Sequence, residues 1–353
     1  MEPVTHLLTG AVLSRAGFNR KAAYATLAMT LAAEAPDLDM LWGFKGPVAA
    51  FEHHRGWTHT LIGLPLEAAV VTGVIWLGHR WLAKRRAEDS HRSHASSRAP
   101  IHWPRLYLFS LIALASHILL DWTNNYGIRP FFPFNPRWYA GSFVSLFEPV
   151  MFVLLLTALV APALFGLVSS EVGARRPPYR GRGWAIVALT GIVLLWGCRI
   201  VERRKAIELA QSSGQDAAPI LRITATPYPV NPFRWKTIAE TPLVYQVSAV
   251  NTLSGEVTSS PQADVFHKPP TTLATLVAKR SWLGRVYLDW SQYPLVTETD
   301  TTPDGLTTVT FRDLRFFRET PISGRETTPL SGAVIVNDDR RVDHMEMDGY
   351  TQP

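Results

Sequence analysis

The sequence predicts a mainly α fold: a polytopic membrane helical bundle over residues 1–205, then a mostly β soluble domain over residues 206–353. Three observations predict it. Long apolar runs crowd into roughly the first 200 of the 353 residues. Basic residues gather in the short loops between those runs. From about Ala206 onward, helical periodicity gives way to short β-branched and aromatic runs separated by Pro, Gly, Asn and Asp.

At the N-terminus, no basic stretch precedes an apolar run with a small-residue cleavage site, so no cleavable signal peptide is expected. Residues 5–16 and 22–33 are apolar and rich in Ala, Gly and Thr, but each is too short to cross a bilayer alone. They are expected to be half-inserted or interfacial helices packed on the bundle, with Thr5 as an N-cap and Gly17 as a stop. Four runs, 60–77, 106–120, 149–168 and 184–201, approach the length needed to cross a hydrocarbon core of ~30 Å.

Loop charge sets an orientation. Residues 79–105 carry Arg80, Lys84, Arg85, Arg86, Arg92, Arg98 and Arg105 against Glu88 and Asp89. Residues 170–183 carry Arg175, Arg176, Arg180 and Arg182 against Glu171. Both loops are expected on the cytoplasmic side, and 121–148, with only Arg129 and Arg137 as cations, on the other. Arg199, Arg203, Arg204 and Lys205 argue the other way, but two loops and helix parity outweigh them. The reading is therefore a multi-pass protein of a bacterial-type inner (plasma) membrane with an extracytoplasmic C-terminal domain. Residues 90–97 read as a low-complexity loop. Strands are expected at 220–226, 243–250, 284–290, 306–311 and 333–336.

The net charge of +6 is distributed in these loops, which points to the lipid bilayer as partner rather than to nucleic acid. The single cysteine, Cys198, permits neither an intramolecular disulfide nor a Cys-based zinc site. Any metal must be held by His and carboxylates.

Ionisable groups in or beside apolar segments are costly and mark function. His117 and Asp121 stand i, i+4 and project from one helix face, which suits two ligands or a ligand with its orienting partner; a bundle-tightening hydrogen bond is the plainer alternative. Glu34, Asp37 and Asp39 are three acids in six residues around Pro36, which is expected to end a helix. Asp37 and Asp39 are then expected in an extended or turn segment with side chains on one side, suited to bridging metals or activating water, unless they serve as caps. His53, His54, Arg55 and His59 lie within seven residues before an apolar run. Imidazoles suit zinc, and Arg55 is a fork for an anionic oxygen. His6, on an apolar helix, has a case only through its neighbours; His267 and His344 read as ordinary surface histidines. His59 opens the first long run and Asp121 closes the second, so a basic cytoplasmic loop between them brings both to one outer membrane surface.

These residues carry a resemblance. Thr5-His6, Pro36-Asp37-Leu38-Asp39, the run from His53 to Thr60, and Ser116-His117 through Asp121 resemble the YdjM-like inner-membrane proteins, described as membrane-bound metal-dependent hydrolases. The resemblance spans residues 1–121 and implies hydrolase activity without naming a substrate. The order of ligands is also similar to zinc-dependent phospholipase C and P1-type nucleases, although their second His-x-x-x-Asp/Glu is not evident. The combined reading assigns a divalent metal, with Zn2+ favoured, to His6, Asp39, His53, His54, His59, His117 and Asp121, and catalysis to Asp37 and Arg55. Which of Asp37/Asp39 and of His53/His54 ligates stays open. The expected substrate is a lipid or phosphoester at the membrane surface; the alternative is a non-enzymatic membrane protein for metal binding, transport or envelope assembly.

Overall fold

Proline at the first helical position has no N–H to leave unsatisfied, and Pro3 opens α1 (Pro3–Arg15). The N-cap is Glu2, not Thr5, which already lies inside the first turn and donates its hydroxyl to the Glu2 carboxylate. The helix ends at Ala16, just before Gly17. In α2 (Ala25–Glu34), Ala25, Ala28, Met29, Ala32 and Ala33 are buried. Small side chains let α1 lie directly against α2. At Gly10 a Cβ would overlap the Met29 carbonyl oxygen and stand 2.8 Å from the Ala33 Cβ.

Beyond Glu34 the chain does not become extended. It tightens into a 3-10 stretch, Ala35–Lys45. Its three-residue repeat replaces the two-residue alternation that predicted Asp37 and Asp39 on one side. Next come α3 (Pro47–His53), a 3-10 turn Trp57–His59, α4 (Gly63–Glu88), α5 (Trp103–Thr123), α6 (Pro149–Glu171) and α7 (Arg182–Ser213). The computed structural model describes residues 1–88, 100–171, 181–213, 219–259, 264–299, 302, 305–319, 326–327 and 329–353. The low-complexity stretch 90–97 and most of the basic loop 170–183 lie outside the described residues.

The chain forms two units. The first holds Met1–Leu38, Arg55–Val201 and Pro229–Pro232. Its core joins α2 to Leu64, Ala68, Val71 and Ile75 of α4 and to Leu106, Phe109, Ala113, Leu114 and Ile118 of α5. The α4 positions are spaced by three or four, as one helical face requires. Leu66, Val70, Val74 and Leu77, on other faces of α4, are apolar and exposed. Among the described residues, α5 and α7 are each long and apolar enough to cross a membrane, and a third span counts only if α4 is joined to the helical residues before it. The apolar stretch Pro149–Phe165 of α6 is shorter. Four runs were expected to span; among the described residues two, or up to three, meet the requirement. Arg199, counted above as a loop cation, is instead fully buried on α7 and forms a 2.7 Å ion pair with buried Glu148.

The second unit holds Asp39–His54, Glu202–Tyr228 and Phe233–Pro353. Its strands are β1 (Arg222–Pro227), β2 (Arg234–Glu240), β3 (Val244–Asn251), β4 (Glu256–Thr258), β5 (Val265–His267), β6 (Pro294–Glu298), β7 (Thr307–Asp313), β8 (Arg318–Glu319), β9 (Glu326–Thr327), β10 (Gly332–Val336), β11 (Val342–Met347) and β12 (Tyr350–Gln352). One antiparallel sheet runs β1-β2-β3-β4 with β5 on β3, a second runs β12-β11-β10-β7-β6, and β8 pairs β9. Two helices interrupt the β character, α8 (Leu273–Arg280) and α9 (Trp282–Trp290). The latter replaces the strand expected at 284–290. Ser281 caps it by accepting from the Gly284 N–H, and Leu283, Gly284, Tyr287 and Trp290 are buried at helical spacing. The α3 segment belongs to this unit: the Val48 N–H donates to the Gln352 side chain at 2.9 Å, and the Trp282 indole donates to Glu52 at 2.9 Å.

Because Gly10 has no room for a methyl group, Gly10→Ala is expected to push α1 from α2 at a cost of about 1–3 kcal/mol. Thermal unfolding of the detergent-purified variant should show a lowered Tm; an unchanged Tm would mean the helices part freely there.

Candidate metal centre

Four side chains of the first unit bring one ligand atom each to a common point: Asp37, His59, His117 and Asp121, with those atoms all within 4.8 Å of one another. Each arrives from a different structural cause. Asp37 sits in the 3-10 stretch after α2. His59 ends the 3-10 turn ahead of α4. His117 and Asp121 are one turn apart on α5, and that turn faces the protein interior.

The spacing is informative. His59 Nε2 and His117 Nε2 are 3.0 Å apart. Asp121 Oδ2 lies 3.3 Å from His59 Nε2 and 3.5 Å from His117 Nε2. Asp37 Oδ1 lies 3.5 Å and 3.6 Å from the same two nitrogens. Ligands bound tetrahedrally at ~2.0–2.1 Å stand about 3.3–3.4 Å from one another. The five distances bracket that value.

The hydrogen-bond partners also point the donor atoms inward. His117 Nδ1 sits 2.7 Å from the Ala33 carbonyl oxygen, which can only accept, so that nitrogen carries the proton and Nε2 is left with its lone pair. His59 Nδ1 lies 3.1 Å from the Thr58 hydroxyl. Asp121 is fully buried; its Oδ1 receives the Met1 amino group and, at 2.9 Å, Arg55 Nη2. Its Oδ2 has no hydrogen-bond partner and turns toward the two imidazoles. A buried carboxylate oxygen left without a donor suits a cation. The donor set could hold a metal ion.

Asp37 is the most exposed of the four, at 8 %; the others are at 0 %. Burial alone would raise its carboxyl, but its imidazole neighbours, His59 first, bring it down to about 2. Glu34, three residues earlier, is pushed up to about 7, first by burial and then by Asp37.

The remaining site residues stand outside this four-donor group. His6 is buried and stacks on His117 with centroids 3.7 Å apart, but its Nε2 faces the Met1 amino group at 3.0 Å and it stands outside the four-donor group. Asp39 and His54 belong to the second unit, where they pair at 3.1 Å. His53 stacks on Trp42 at 3.9 Å in that unit. Arg55 is buried and holds φ +55, the left-handed region. It donates to the Asp121 carboxylate, to Asn124 Oδ1 at 3.3 Å and to the Gly127 carbonyl at 2.8 Å, and lies over the Tyr126 ring at 4.6 Å.

Sequence reasoning missed Asn124, Tyr126 and Glu148. Asn124 and Tyr126 follow Asp121 in a loop that carries no periodic signal. Glu148 was detectable as an acid at the edge of an apolar run with a complementary Arg199 in another.

The profile of the YdjM inner membrane protein family matches residues 1–206. The chain belongs to this family. All four donors lie inside the matched stretch, and the resemblance read from the motifs is thereby confirmed. Uncharacterized protein YfhP of Bacillus subtilis (strain 168) is 25% identical over 167 residues, 45% of this chain and 45% of that protein. The chain thus matches less than half of that relative's length. No solved structure matches, and the likeness of ligand order to phospholipase C and P1-type nucleases gains no support from these relatives.

A lysine in place of Arg55 keeps a charge but not the fork that serves Asp121, Asn124 and Gly127 together. Arg55→Lys is expected to weaken metal affinity by roughly 10–100-fold, as loss of a ligand-orienting partner does. Competition with a zinc chelator would measure it; unchanged affinity would show that Asp121 needs no such holder.

Proposed function

We propose that the protein is a membrane-bound, metal-dependent hydrolase with a zinc-type centre at Asp37, His59, His117 and Asp121. The observation that supports this most is the convergence of four buried donors within 4.8 Å of one another, one of them a carboxylate oxygen without a hydrogen-bond donor. Membership of an inner membrane protein family and two apolar helices of spanning length support a membrane location. The positive-inside pattern supports a multi-pass topology with this centre on the extracytoplasmic side. A lipid or phosphoester is the proposed substrate.

A zinc-type ion, bound there, supplies Lewis acidity at neutral pH. The chain's own groups do the positioning. Ala33 fixes the His117 tautomer, and Arg55 holds the Asp121 carboxylate so that Oδ2 faces the imidazoles. In this reading Arg55 is a positioning residue, because Asp121, Asn124 and Gly127 already occupy its guanidinium. Asp37, which has the greatest contact with solvent, would orient the attacking water, while the other three, two histidines and one aspartate, would hold the ion.

One observation favours a second reading. Four protein donors, three of them wholly buried, also describe a closed structural or storage site in a non-enzymatic protein. Asp37→Ala separates the two. In the hydrolase the variant binds zinc at saturating concentration, by elemental analysis of purified protein, but loses hydrolysis in a screen of phosphoester and carboxyester lipids. In the closed site the variant loses the metal.

Metal content also has a defined pH dependence. Binding needs neutral imidazoles, and free histidine titrates near ~6.5. Zinc should be retained at pH 7.5 and released only as pH falls well below the point at which free histidine titrates, because protons then compete for the imidazole nitrogens. His59→Ala, His117→Ala and Asp121→Ala should each lower zinc content at pH 7.5, whereas His53→Ala should not. Full zinc in all three donor variants would sink the proposed centre.

A further inference from the structure

The helical unit carries an apolar surface that its own core does not use. Trp57 is 60 % exposed, and Leu61 and Ile62 are exposed beside it, all immediately before α4. A loop closed by the Ile128–Tyr139 bridge joins them: the Leu61 N–H donates to the Pro130 carbonyl at 2.9 Å, and Trp57 meets Phe132 edge-on at 5.1 Å. At the loop tip Phe131 is exposed and Phe134 is 83 % exposed.

Two features say what covers this surface. The first is continuity with helix faces already suited to hydrocarbon. Ile62 leads into the exposed apolar side chains Leu66, Val70, Val74 and Leu77 of α4. On α5, a helix of spanning length, exposed Leu108, Leu119 and Trp122 lead to the same end of the helix as Asp121. The second is composition. Aromatic rings with a few cations are what the boundary between hydrocarbon and headgroups selects. Here Arg129 lies over Trp138 at 4.6 Å and Arg137 over Tyr139 at 5.6 Å. A water-facing loop has no reason to expose Phe131, Phe134 and Trp57 together.

The surface is also tied to the candidate metal centre. Trp57 and His59 share one 3-10 turn. Trp122 follows Asp121, and Gly127, next to the loop's base at Ile128, accepts a hydrogen bond from Arg55.

We infer that Trp57, Leu61, Ile62 and the 128–139 loop form a lipid-binding surface seated in the bilayer's interfacial layer, and that the substrate is a lipid with an anionic headgroup that reaches the metal centre from the membrane plane. Its acyl chains lie over the aromatic tip and its headgroup near Arg137. The surface itself stands without any catalysis; the substrate class rests on the hydrolase reading above.

The test uses the full chain in nanodiscs of mixed neutral and anionic phospholipid. With Cys198→Ser as background, Phe134→Cys carries a nitroxide, and Ser254→Cys in the exposed β3–β4 turn carries the control label. The label at position 134 should be more accessible to oxygen than to a water-soluble nickel chelate, with the order reversed at 254. Equal accessibility to the chelate at both positions overturns the proposal. Phe134 is so exposed that its replacement spares the fold. In parallel, Phe131→Ser with Phe134→Ser should lower turnover of vesicle lipid by roughly tenfold or more, while zinc content and turnover of a short-chain soluble analogue stay unchanged. An equal loss on both substrates also overturns the lipid route. A buried label without hydrolysis of any substrate would retire the hydrolase reading and keep the lipid surface; hydrolysis with a water-exposed label would do the reverse.

Discussion

A carboxylate wholly removed from water must find positive charge or hydrogen-bond donors nearby, or burial costs several kcal/mol. Asp121 is that carboxylate, and the helical unit is arranged around it. The Met1 amino group and Arg55 reach the same oxygen, Oδ1. The start of α1, the turn after α3 and the end of α5 therefore meet at one atom. The other oxygen faces His59 and His117. Packing supplies the precision: Gly10 lets α1 lie directly on α2, and α2 ends where the Ala33 carbonyl can orient His117.

Helices were the legible part of this chain. The runs that became α4, α5, α6 and α7 show in the sequence because a segment facing apolar surroundings on several sides must itself be apolar. The His117/Asp121 pair was equally legible, since spacing by four residues fixes a shared face whatever the tertiary structure. Segment 284–290 was misread because Val, Tyr and Trp favour strands as isolated residues, while the deciding signal was the Ser281 cap and the burial of Leu283, Tyr287 and Trp290. Asp37 and Asp39 were placed by a strand rule in a segment that is helical.

The histidine-rich run shows a different limit. His53, His54 and His59 look interchangeable in one dimension. A helix of seven residues, Pro47–His53, anchors its first two members in the second unit, and only His59 joins the α5 pair. Arg55 looked like an open fork for an anion because its acceptors, Asn124 and the Gly127 carbonyl, lie about seventy residues away in sequence. No local pattern announces a long-range contact of that kind.

Arg55 has one more property that follows from its backbone. A non-glycine residue in the left-handed region is held there only when its surroundings gain more than the conformation costs. The side chain supplies that gain by gripping α5 and the base of the aromatic loop with the same planar group. The guanidinium therefore works as a rivet. Movement of the loop base and movement of the Asp121 carboxylate share a fixed point, so a force on one is borne by the other.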